Sequence, residues 1–147
     1  MPEKKTIEKA KKDKSEGKSA STQAGEFVHQ EIEHVKQGKH GARSTKQAIA
    51  IGLSEARRAG VKVPASKTAS KATRKKVEHD NAEGAKGAKK VSATRSKATS
   101  DALKKEGHSA ASTKALSTQA KSAAASRTAS ERSASARKAA RTREKST

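Results

Sequence analysis

Glu26, His29 and Glu33 stand three and four residues apart, so a helix would carry them on one face, with His34 and His40 close by in the chain. A hard or borderline metal ion has conceivable ligands in that set. A solvated polar face opposite Val28, Ile32 and Val35 accounts for the same residues, and on that reading no metal and no cofactor is expected. A second pattern suits anions. His40-Gly-Ala42-Arg-Ser44-Thr45-Lys46 recurs as His108-Ser-Ala110-Ala-Ser112-Thr113-Lys114, which is His-x-Ala-x-Ser-Thr-Lys twice. In each copy a Ser or Thr stands where a helix could begin and a Lys follows within its first turn, where free backbone N–H groups suit a phosphate. Ordinary helix capping explains the same residues and is the favoured account. A shorter run, Ser-Lys-Ala-Thr, also repeats, at Ser70 to Thr73 and Ser96 to Thr99.

Chemistry beyond this is sparse. The sequence holds no Gly-x-x-x-x-Gly-Lys phosphate loop, no Gly-x-Ser-x-Gly elbow and no His-Glu-x-x-His zinc helix. The absence of cysteine excludes disulfides and thiolate zinc sites. Catalysis needs a water-excluding pocket, which this little bulky apolar surface is not expected to build. No enzyme, catalytic residue or small-molecule substrate is therefore expected. Single-strand and RNA modules stack bases on aromatic rings, and Phe27 is the one aromatic residue, better placed in a core.

Charge dominates the composition: 35 Lys and Arg against 15 Asp and Glu in 147 residues, a formal net charge of +20. A polyanion is the default partner, duplex DNA first among the candidates. The charge is not paired with a lipid-facing stripe, and no apolar run reaches the roughly eighteen residues of a membrane span or the length a signal peptide needs, so a cytoplasmic protein is expected.

The elements that position these groups are few on this reading. Residues 1–24, rich in Lys, Glu, Ser and Thr, read as a disordered arm of mixed but basic charge. Bulky apolar residues collect in 25–64, where Val28, Ile32 and Val35 form one helical stripe and Gly38 a stop. Ser44 with Gln47 caps a second helix, whose stripe is Ile49, Leu53 and Ala56, widened by Ala48 and Ile51 and ended by Gly60 and Pro64; Gly52 would permit close approach of another helix. The result is a short helical hairpin, small enough to need a partner or self-association to a homo-oligomer. Residues 65–90 read as a basic linker. Residues 91–147, with 13 Lys and Arg against 4 Asp and Glu, read as a low-complexity Ala, Ser, Lys and Arg tail of fluctuating helix. The fold class expected is thus mostly disordered, with α-helical segments.

The run Lys46-Gln-Ala-Ile-Ala-Ile-Gly-Leu-Ser-Glu-Ala-Arg-Arg-Ala-Gly60, followed by Val-Lys-Val-Pro64, resembles a family of small basic bacterial proteins of unknown function. The likeness extends over Glu26 to Pro64 through the Phe27 segment and the Gly- and Lys-containing connection, Gly38 to Gly41. It implies a bacterial source and brings no activity. The C-terminal part is similar, in composition alone, to the Lys/Ala-rich tails of bacterial histone-like and linker-histone-like proteins, from which it departs by more Ser and Thr and fewer prolines.

The function expected from these readings is non-sequence-specific, electrostatic binding of DNA by a histone-like, nucleoid-associated protein. The residues expected to meet phosphates are Lys46, Arg57, Arg58, Lys104, Lys105, Lys114, Arg127, Arg132, Arg137, Lys138, Arg141 and Arg143. The alternative is a disordered stress-protective protein, or an interaction module docking through Ile49, Ile51 and Leu53.

Overall fold

A computed structural model describes residues 2–87 and 89–147. Among them the chain forms seven α-helices and one 3-10 turn, with no strand: α1 (Lys4–Ser15), α2 (Ala20–Lys36), α3 (Thr45–Arg58), α4 (Lys71–Ala85), α5 (Ala93–Lys104), the turn Ser109–Ala111, α6 (Thr113–Ala125) and α7 (Ala129–Ser146). The expectation of a mostly disordered chain is therefore corrected. The hairpin of α2 and α3 is present, but at the centre of a larger helical assembly in which α1 packs on α2 and α4 packs on α3.

Two physical terms account for the difference. The first is capping. Each helix from α2 to α7 starts at a Ser or Thr whose side chain accepts a hydrogen bond from a first-turn N–H: Ser19, Ser44, Ser70, Ser92, Ser112 and Thr128. Such a cap contributes about 1 kcal/mol. At α7 the box is reciprocal, Glu131 N donating to Thr128 Oγ1 at 3.2 Å and Thr128 N to Glu131 Oε2 at 2.9 Å. The segment expected to be a fluctuating low-complexity tail thus holds α5, α6 and α7, although none of these three helices has a buried residue.

The second term is small-residue packing. One core cluster joins Ala10, Ala24, Phe27, Ala56, Val61 and Val63, with Ile7, Ala20 and Leu53 against it. The other joins Val35, Ala42, Ala48, Ala110 and Ala111, with Ile32 against it. Alanine buries little area per residue, but it lets backbones approach and brings peptide groups into contact. Gly52 goes further: a Cβ there would lie 2.7 Å from Val28 Cα, so α2 and α3 touch through their main chains. At the α3–α4 contact a Cβ on Gly84 would overlap the carbonyl oxygen of Arg57.

The segment 1–24 carries α1 and the first turn of α2, and α1 buries Thr6, Ala10 and Asp13. Asp13 closes the α1–α2 turn through Lys18, whose ammonium lies 2.8 Å from its carboxylate. The segment 65–90 carries α4, which buries Val77, Asp80 and Gly84. Asp80 there accepts from Ser54 Oγ at 2.9 Å and lies 3.5 Å from Arg58 Nε and 3.4 Å from Lys76 Nζ. Burial alone would raise its carboxyl, but Ser54, with Lys76 and Arg58, outweighs that and holds it below the usual carboxylate range.

Candidate phosphate-binding groove

The two copies of His-x-Ala-x-Ser-Thr-Lys come together in space. Gly41 N donates to Leu103 O at 2.9 Å and Ala42 N to Gly107 O at 3.0 Å, which ties the α2–α3 connection to the segment between α5 and α6. Thr45 Oγ1 donates to Ala110 O at 2.6 Å. The equivalent alanines of the two copies, Ala42 and Ala110, are buried in the same core cluster. Ser44 and Ser112 each accept from the N–H three residues on, Gln47 N and Ala115 N, both at 3.2 Å. Gln47 does not complete the expected capping box at Ser44; its Oε1 accepts from Arg43 N at 2.7 Å.

This places the N-termini of α3 and α6 side by side around an open groove of about 520 Å³, lined by Arg43, Ser44, Thr45 and Lys46 from one copy and Ser109, Ala110, Ser112 and Lys114 from the other, with Ala115, Thr118 and Gln119 of α6. Each helix end leaves its first N–H groups without an intrahelical acceptor and carries roughly half a positive charge. Lys46, Lys114 and Arg43 are exposed and add three cations. Among the described residues no carboxylate lines the groove; Glu106 stands behind Arg43, 3.9 Å from its Nε. Two helix dipoles, three cations, Ser and Thr hydroxyls and the Gln119 amide suit one anionic oxygen cluster of phosphate size. Arg43 was not among the expected contacts, although it occupies a variable position inside the first copy.

The remaining expected contacts divide by environment. Arg57 is 8% exposed, and its Nε donates to Val63 O at 2.9 Å and its Nη2 to Pro64 O at 3.5 Å. Its place among the phosphate contacts is corrected: burial pulls its guanidinium down, opposed by Asp80, and it anchors the chain after α3. Arg58 is exposed but reaches Asp80. Arg132 donates to Ala124 O and Arg127 O, and Arg127 to Glu131 O and Ser135 Oγ, so both guanidiniums brace the α6–α7 turn. Lys104 and Lys105 end α5 in solvent.

Arg137, Lys138, Arg141 and Arg143 are exposed on α7. At about 100° per residue, Arg137, Lys138 and Arg141, with Lys145, fall within a sector of roughly 100°, whereas Arg143 points away from it. The helix face with conceivable metal ligands is turned to solvent and ion pairs: His29 is exposed, Glu26 lies 3.7 Å from Lys9 and Glu33 lies 3.2 Å from Lys36.

Residues 11–67 match the model of a family of unknown function (DUF6496). That match spans the first copy of the repeat and the α2–α3 hairpin and stops short of the second copy. No curated protein and no solved structure matches the chain. No helix among the described residues is long and apolar enough to cross a membrane.

Proposed function

We propose that the protein binds nucleic acid, duplex DNA foremost, through the phosphate backbone and without sequence preference. The observation that carries this reading is the pairing of two capped helix N-termini with Lys46, Lys114 and Arg43 in one groove free of lining carboxylates. The groove seats one phosphate, and the exposed cations of α7 add to the attraction of a polyanion. Support also comes from the overall charge of +20, which draws the protein to polyanions at long range. Shallow, open walls and a single aromatic ring leave backbone contact as the mode, not base stacking. On this reading the protein sits on the nucleoid as a histone-like component.

The experiment is a titration of full-length protein against labelled random duplex DNA, single-stranded DNA and heparin, from about 50 to 300 mM salt. Duplex binding that persists near physiological salt and exceeds heparin binding supports the proposal. Binding that is lost there, or that does not distinguish DNA from heparin, reduces the charge to a solvation property and sinks it.

A further inference from the structure

Glu31 lies in the apolar stripe of α2, between Phe27 and Val35, and is 2% exposed. A carboxylate in such a place needs partners. Its Oε1 is buried and accepts no hydrogen bond, although His40 Nε2 stands 3.2 Å away. His40 Nδ1 is 2.9 Å from Gly41 O, and a carbonyl only accepts, so Nδ1 is the donor there and Nε2 is the ring nitrogen turned toward Glu31.

His34, one turn after Glu31, is arranged in the same way. Its Nε2 is 3.0 Å from a carboxylate oxygen of Glu3, which the Lys39 ammonium also meets at 3.2 Å. Nε2 donates to that carboxylate, and Nδ1 faces Glu31 Oε2 at 3.9 Å. The two rings meet edge to face at 5.9 Å between centroids. Two ring nitrogens and a carboxylate thus converge, each imidazole held from behind by an oxygen acceptor. That is the outer-sphere pattern of metal-bound histidine. A divalent ion takes both nitrogens and the carboxylate as ligands at once.

We propose that Glu31, His34 and His40 bind a divalent transition-metal ion of the zinc class through Glu31 Oε, His34 Nδ1 and His40 Nε2. The three donor atoms lie within 4.8 Å of one another. Bonds near 2.0–2.1 Å in a tetrahedral site put donors roughly 3.3 Å apart, so small side-chain rotations close the site and a water takes the fourth position. Glu31 and His34 come from α2 and His40 from the connection that leads to the groove. The ion therefore ties that connection to the core and fixes the start of α3.

The test uses the full-length protein, freed of metal by chelator and dialysis, and titrated with Zn²⁺ in competition with a chromophoric chelator. One equivalent should bind through the His₂Glu donor set. His34→Gln and His40→Gln should each weaken it by about 100-fold and Glu3→Gln by about 10-fold, whereas His29→Gln, His79→Gln and His108→Gln should not change it. A readout without variants guards against misfolding: on adding Zn²⁺, the ¹⁵N resonances of His34 Nδ1 and His40 Nε2 should shift, and those of the exposed histidines should not. Absence of one-equivalent binding, or shifts confined to His29, His79 and His108, would overturn the proposal.

Discussion

Gly52→Ala is expected to destabilise the protein, against the usual effect of that substitution in a helix. In an exposed helix interior, replacing Gly by Ala stabilises by roughly 0.8–1 kcal/mol, because Gly loses more backbone freedom on folding. At Gly52 the new Cβ would stand 2.7 Å from Val28 Cα and 2.9 Å from Val28 N, and both are main-chain atoms that no rotamer change moves aside. Relief to an ordinary contact of about 3.5–4 Å requires α2 and α3 to part by about 1 Å. That opens the interface that buries Phe27 and Ala56, both fully inaccessible. Overpacking of this kind costs about 1–3 kcal/mol, and a gap of that size forfeits up to half of each affected contact. After the propensity gain, a net loss of up to about 2 kcal/mol remains.

Gly25, in the interior of α2, is the control, since a Cβ there meets nothing within 4 Å. Gly25→Ala should stabilise by roughly 0.8–1 kcal/mol. The two substitutions, chemically identical, then differ by about 1–3 kcal/mol. With a urea m-value of about 2–3 kcal/mol/M, their unfolding midpoints, read by far-UV circular dichroism, should lie about 1 M apart on either side of the parent. If Gly52→Ala raises the midpoint as Gly25→Ala does, the close helix packing described here is refuted.

Arg57→Ala should cost about 2 kcal/mol by urea unfolding, because it strips a charged donor from Val63 O and Pro64 O, while Asn81 keeps one bond to Val63 O at 3.2 Å; an unchanged midpoint would count against its anchoring role. Thr128→Ala should lose about 1 kcal/mol of local stability at the start of α7, seen as faster amide exchange over 129–133 with α2 and α3 unaffected; uniform protection in parent and variant would contradict the capping account. Asp80, held below its ordinary pKa of 3.8, contributes stability that is present above about pH 4 and lost as pH falls through its lower folded value. Urea midpoints measured from pH 5 to 2 should therefore fall less steeply for Asp80→Asn than for the parent, and parallel curves would refute that assignment. Glu83, drawn down to about 2 by Lys89 and Lys86, should remain ionised across most of that range, as its carboxyl ¹³C shift can report.

The α2–α3 hairpin was legible because Ser44, Gln47, Gly60 and the spacing of Ile49, Leu53 and Ala56 act over a few residues. The rest of the fold was hidden by a criterion that looked for bulky side chains. Ala24, Ala48, Ala110 and Ala111 form core by letting helices close up, a property of pairs of segments that composition does not display. Some signals were local and readable all the same, above all Thr128-x-x-Glu131, the capping box of α7. The repeated His-x-Ala-x-Ser-Thr-Lys was visible as pattern, but its meeting across 65 residues, Thr45 to Ala110, depends on tertiary contacts. For the histidines, sequence spacing pointed to the solvent face with His29. Glu31 falling among Phe27 and Val35 was the sign that the relevant carboxylate faced inward.

The salt dependence of duplex binding tests the phosphate-groove proposal most directly. Each phosphate contact contributes about 0.9 to the slope of log K against log salt, so Lys46→Gln with Lys114→Gln, which together release the one phosphate the groove seats, should lower the slope by about 0.9. Lys4→Gln with Lys5→Gln on α1 makes the same change of net charge away from the groove and should leave the slope nearly unchanged. Equal reductions for the two pairs, or none for either, would contradict recognition of the backbone at the groove.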